Sequence, residues 1–218
     1  MVYSVLTMLI VTTIGGPPAS VEECFALLRE NRWTGLLRLD ILTIFVMPLY
    51  YVLFYSLYKV LKDVDNGLIT ISVIFIFAGV TLFLAAPSTF SYLYLADGYE
   101  GALTEMAKNK FLIAGEAVFS NDIWHGAGAQ VGGILVQSGA VIISFFMLRS
   151  TVFSKLTAYT GIIMHGFDLA HIIIGFFSVT VGNTFMIIAG PLYPVWFLLI
   201  SLNLFKHSRQ QTEIKVID

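Results

Sequence analysis

The chain has 218 residues, 57% of them hydrophobic and 12% charged, with a mean hydropathy of +0.84. Soluble domains carry about 25% charged residues, so this composition excludes an ordinary soluble domain and reads as a membrane protein. The net charge of −2 comes with no basic run for nucleic acid, and a single cysteine, Cys24, excludes an intrachain disulfide and a thiolate metal cluster.

A crossing helix needs about 20 mainly apolar residues, and six segments approach that length. The first runs from Val2 to Ile14. It has neither the basic start nor the small-x-small cleavage site of a signal peptide, so it is read as a first membrane helix. SVEECFALLRENRW follows, with Ser20 and Glu23 in capping-box spacing and Cys24, Leu27 and Leu28 at helical spacing. The second span runs from Leu39 to Val60 and carries Pro48, which removes a backbone donor and favours a kink. At its start, Arg38 and Asp40 stand two apart and do not face each other on a helix. Arg38 is therefore expected to snorkel to the headgroups.

The third span runs from Leu68 to about Ala86. GYEGALTEMAKNKFLIAGEAVF then reads as a second amphipathic helix, with Leu103, Met106 and Ala107 on one face. Both amphipathic helices are expected at the outer membrane interface. Tyr92, Tyr94, Tyr99, Trp33 and Trp124 would form an aromatic belt there. The fourth span runs from Trp124 to Leu148, the fifth from Leu156 to Thr180, and the sixth from Thr184 to Phe205 with Pro191 and Pro194 inside it. The expected fold is all-α: one integral membrane domain over residues 1–218, a polytopic bundle of about six membrane helices with two outer interfacial helices.

Lys and Arg near the helix ends set orientation. Lys59, Lys62, Arg149, Lys155, Lys206, Arg209 and Lys215 share one side of a six-span chain, seven basic residues on short connections. The other side holds five, Arg29, Arg32, Arg38, Lys108 and Lys110, diluted by acidic residues on long loops. Both termini are therefore expected in the cytoplasm, with the chain in the cell membrane.

The fifth span contains His165, Asp168 and His171 inside an apolar run. Such groups cost roughly 2.5–3.5 kcal/mol each at the bilayer centre on insertion scales, and so mark a pathway, a ligand site or a buried pair. Residues three apart on a helix fan over one side. His165 and His171 are about 9 Å apart along the axis and cannot share one ion without another helix. Asp168 can orient either imidazole, the usual support of a metal ligand or of a tuned proton acceptor. The same three groups also suit a polar network that ties helices together.

On the fourth span, His125 lies near the outer interface beside Asp122. Gln130 and Gln137 stand one heptad apart on one face. Gly128 and Gly132 form a G-x-x-x-G packing surface, suited to a homo-oligomer or another membrane protein. No H-E-x-x-H, phosphate-binding loop or G-x-S-x-G elbow is present.

Three stretches carry a resemblance to a known family: SVEECFALLRENRWTGLLRLDILTIFVMPLYYVLFYSLYKVL, WHGAGAQVGGILVQSGAVIISFFMLRSTVFSKLTAYTGII and PVWFLLISLNLFK. They resemble the outer amphipathic helix and second span, the His-containing fourth helix with its basic turn, and the closing helix of a small prokaryotic polytopic membrane protein family of unknown function (domain of unknown function 4386). Together they cover most of the chain. The departures are Pro194 and the lack of acidic residues in the last span. The resemblance implies about six helices and transfers no catalytic residue.

The leading expectation is a membrane protein that binds or passes a small ligand or a proton through a cavity between the fourth and fifth spans, lined by His165, Asp168, His171, Gln130 and Gln137. Alternatives are an intramembrane metal- or haem-dependent enzyme with His125, His165 and His171 as ligands, and an accessory subunit recognised through Gly128 and Gly132. The sequence names no cofactor and no substrate.

Overall fold

A computed structural model of the chain describes residues 2–86, 89–123 and 125–217, with side chains at all of these except 2–5, 8 and 213–217. It is 82% helical, and the described residues contain no strand. The helices are α1 (Val2–Ile14), α2 (Val21–Glu30), α3 (Arg32–Arg38), α4 (Ile41–Val46), α5 (Leu49–Leu61), α6 (Asn66–Ala85), α7 (Thr89–Gly101), α8 (Glu105–Phe119), α9 (Ala127–Met147), α10 (Lys155–Gly175), α11 (Val179–Ala189) and α12 (Leu192–Ile217). Four helical stretches among the described residues are long and apolar enough to cross a membrane: Ile41–Leu61, Asn66–Gly101, Ala127–Met147 and Val179–Thr212.

Prolines set where the long apolar stretches break. α4 ends at Val46 and α5 begins at Leu49. Pro48 between them lacks the N–H that would continue the helix, and its ring crowds the preceding turn. Pro191 separates α11 from α12 in the same way. Pro194 behaves differently from the expected interior kink. It is the third residue of α12, in the first turn, where the N–H has no helical partner to lose. The fifth span ends at Gly175, five residues before its expected end, because the Ser178 hydroxyl caps a new helix by accepting from Val181 N at 3.4 Å.

The chain divides into two compact units, each assembled from segments distant in sequence. One contains Tyr3–Leu49 and Val80–Gly132. Its core is Val21, Cys24, Phe25, Leu28, Leu36, Leu39, Tyr92 and Ala96. Ser20 caps α2 by accepting from Glu23 N at 3.2 Å, and the Glu23 carboxylate accepts from Ala19 N at 2.8 Å. Thr104 caps α8 by accepting from Ala107 N at 3.2 Å.

The inward stripe of α8 is Phe111, Gly115, Val118 and Phe119, at i, i+4, i+7 and i+8. A Cβ on Gly115 would strike Val21 of α2, so only glycine lets α8 approach this closely. Leu103 and Met106, expected with Ala107 on one apolar face of an interfacial helix, are 99% and 74% exposed. Leu103 precedes the cap and is not on the helix at all.

Arg38 neither pairs with Asp40 nor reaches outward. Its guanidinium donates to Glu23 Oε1 at 2.8 Å and to the Gly16 carbonyl at 2.7 Å. Of the expected aromatic belt, Trp33 and Tyr94 are exposed. Tyr99 packs on Phe25 with ring centroids 5.5 Å apart, Tyr92 is buried, and Trp124 lies outside the described residues.

The other unit contains Tyr50–Gly79 and Gly133–Asp218. Phe54, Leu57, Ile69, Ile76, Ile143, Met164 and Trp196 are fully buried within it. α10 packs along α11, with Gly175 and Gly182 in near backbone contact. Aromatic contacts join α5 to α12: Tyr50 meets Phe197 edge-on at 6.0 Å, and Phe54 meets Trp196 at 6.4 Å.

Candidate functional site: a buried polar network

Three helices of this second unit each bring polar side chains to one place. α9 supplies Gln137, α10 supplies His165 and Asp168, and α12 supplies Tyr193. Gln137 is the hub. Its Nε2 donates to Asp168 Oδ2 at 2.6 Å and lies 3.0 Å from the Tyr193 hydroxyl oxygen. Its Oε1 lies 2.5 Å from His165 Nδ1. The Tyr193 hydroxyl also donates to Asp168 Oδ2. His165 is 1% exposed, and Asp168 and Gln137 are 8% exposed each.

The bonding pattern assigns the imidazole tautomer. With its NH2 group on Asp168 and Tyr193, the Gln137 amide can offer His165 only a carbonyl oxygen. His165 Nδ1 must then carry the proton, and Nε2 of the neutral ring is left with its lone pair. That Nε2 is buried and has no hydrogen-bond partner among the described residues. The Trp196 indole meets the His165 ring edge-on, with centroids 4.6 Å apart, and fixes its plane.

This differs from the expected arrangement in three ways. Asp168 bonds neither histidine directly and is joined to His165 through Gln137. His171 is half-buried, and its Nδ1 has no partner among the described residues. Gln130 lies seven residues back on α9, in the segment that belongs to the other unit. The four network side chains bond to one another.

Tyr193 is the network member that sequence reasoning passed over, as were Trp196, which packs on His165, and the buried Ser144 on α9. The available signal was spacing: Gln137 and Ser144 share one face of α9, as Gly161 and His165 share one face of α10.

His125 has a separate setting in the first unit. Its ring Nδ1 is 2.9 Å from Asp122 Oδ1, which also accepts from the His125 backbone N–H at 3.0 Å. The Tyr92 hydroxyl donates to Asp122 Oδ2 at 2.7 Å, and Phe119 stacks on the His125 ring at 4.9 Å. Asp122 is 4% exposed, so this node closes the loop after α8 onto α7.

Among the described residues no group of three or more His, Cys, Asp or Glu is arranged to hold a metal ion. The set His125, His165 and His171 is not assembled. Each of the first two commits its Nδ1 to another side chain.

The G-x-x-x-G surface is used within the chain. A Cβ on Gly128 would sit 3.1 Å from the Leu82 carbonyl oxygen of α6, and Gly132 is buried. Comparison of the chain with protein families, with curated proteins and with solved structures finds no match.

Proposed function

We propose that this chain is a multi-pass integral membrane protein that binds a proton, or a small ligand in exchange for one, at the Gln137–His165–Asp168–Tyr193 network. The observation that carries this reading is the buried imidazole whose Nδ1 is held by Gln137 while its Nε2 lone pair has no partner among the described residues. An imidazole oriented through one nitrogen and available at the other is the arrangement of a proton acceptor. Ionisable groups within apolar helices are retained where they serve a pathway or a site.

Six crossings complete the topology. α10 has 21 residues and is about 31 Å long, matching a hydrocarbon core of about 30 Å. It is less apolar than the four stretches above because it carries the site. α1 supplies the remaining crossing, and both termini lie in the cytoplasm with the chain in the cell membrane. Kinship with the family of unknown function 4386 would fit this topology and adds no residue role.

The test is proton flux into liposomes containing the purified protein, read by an internal pH-sensitive dye under an imposed gradient. Wild type should acidify the lumen, and Asp168→Asn and His165→Gln should each reduce the rate by tenfold or more. No flux in the wild type, or flux indifferent to both changes, would overturn proton passage. Intact folding with a pH-independent His165 resonance would overturn proton binding as well.

A second reading has an observation of its own. Asp168 Oδ2 takes two hydrogen bonds and the Gln137 amide is bonded at both ends, so the network also ties α9, α10 and α12 together. On this reading the variants lose stability and nothing else.

A further inference from the structure

Three buried polar atoms on the helices of the network, Ser144 Oγ on α9, His165 Nε2 on α10 and Trp196 Nε1 on α12, have no hydrogen-bond partner among the described residues. All three residues are at most 1% exposed. Two of them, Ser144 Oγ and Trp196 Nε1, meet at Gly161, one helical turn before His165 on the same face of α10. A Cβ built on Gly161 would strike both Ser144 Oγ and Trp196 Nε1, so both atoms lie close against the glycine and leave no room there for a larger side chain. The His165 side chain leans toward the N-terminal end of α10, and so toward that turn. Its ring lies edge-on to Trp196 at 4.6 Å.

The chemistry of the three atoms is complementary to one small molecule. Indole N–H only donates, the serine hydroxyl donates or accepts, and His165 Nε2 only accepts in the tautomer that Gln137 imposes. Orphaned buried polar atoms each cost about 1–3 kcal/mol if left bare. Buried waters typically make about three hydrogen bonds to such groups. We infer that Ser144, His165 and Trp196 hold one buried water molecule, which accepts from Trp196 Nε1–H, donates to His165 Nε2, and completes its set at Ser144 Oγ. This site goes beyond the proton-binding reading and stands without it.

The test is nitrogen-15 NMR of histidine-labelled protein in bilayers, in a His125→Gln, His171→Gln, His207→Gln background that leaves His165 alone. The expected spectrum has a protonated Nδ1, a bare Nε2, and magnetisation transfer from water to Nε2. Ser144→Ala and Gly161→Ala should each reduce that transfer several-fold while Nδ1 stays protonated. A proton on Nε2, no transfer in the parent, or transfer that survives both changes would overturn the site. Should Gly161→Ala fail to fold, Ser144→Ala decides by itself, since it only removes an oxygen. Water transfer without proton flux would sink the proton-passage reading and leave this site standing. Flux without water transfer would do the reverse.

Discussion

Gln137 is the residue on which the buried network depends, because it alone contacts the other three polar side chains. Gln137→Leu keeps the bulk and leaves His165 Nδ1 and the Asp168 carboxyl short of partners. Burying such groups unpaired costs about 1–3 kcal/mol. Reversible unfolding in mixed micelles should show a destabilisation of that size, whereas Gln130→Leu should leave the network unmoved.

Cys24 tests the other unit at the same scale. Burial pushes its thiol up to about 12, with the Asp122 carboxylate adding to the effect. The reactive thiolate is therefore scarce at neutral pH. Maleimide should label Cys24 only after denaturation in detergent, and labelling of the native protein at pH 7 would contradict the packing of α2.

Glu23 gives the pH-dependent case. The Ala19 backbone N–H, and after it the Arg38 guanidinium, hold its carboxyl below the usual value of 4.5. A lowered folded value means a contribution to stability that is present above 4.5 and lost as pH falls through the folded value. The melting temperature of wild type should exceed that of Glu23→Gln at pH 7, and the two should converge as pH falls below 4.5 and through the lower folded value. Glu23 is 40% exposed on its side chain, so the gap will be small. The capping spacing of Ser20 and Glu23 was legible in sequence, but the ion pair was not: Arg38 stood nearest to Asp40 and its true partner lay 15 residues away.

At the scale of the element, the prolines carry the contrast. Pro48 and Pro191 sit between helices and end them, while Pro194 sits in the first turn of α12 and interrupts nothing. Pro194→Ala should therefore change stability by less than about 1 kcal/mol, since no interior hydrogen bond is gained or lost. Pro48→Ala restores an N–H where the helix can continue. Amide hydrogen exchange around residues 46–50 should slow by tenfold or more, the sign of α4 and α5 joining. Unchanged exchange would mean that packing rather than proline holds the break.

Helix existence was readable from apolar runs and caps. The inward face of α8 was not, because Leu103 and Met106 look apolar on paper while Phe111, Gly115 and Phe119 are chosen by the fit of α8 against α2 and α7.

For the molecule as a whole, the topology can be read by labelling in intact cells. In a Cys24→Ser background, Asn109→Cys on α8 should react with an impermeant maleimide from outside. Ser208→Cys near the end of α12 should react only after the membrane is opened. Labelling of both from the same side would overturn an odd number of crossings between them.

From its sequence alone this chain was determined to be helical and membrane-embedded, because hydropathy and segment length act locally and need no knowledge of neighbours. The sequence also marked His165, Asp168 and Gln137 as polar groups inside apolar helices. Which of them meet was decided only in three dimensions. The bond from Gln137 to His165 spans 28 residues and that from Tyr193 to Asp168 spans 25. Trp196, Ser144 and Gly161 acquire meaning only once α9, α10 and α12 stand side by side. A residue's apolarity is its own property, while a hydrogen bond belongs to two residues and to the packing that brings them within 3 Å.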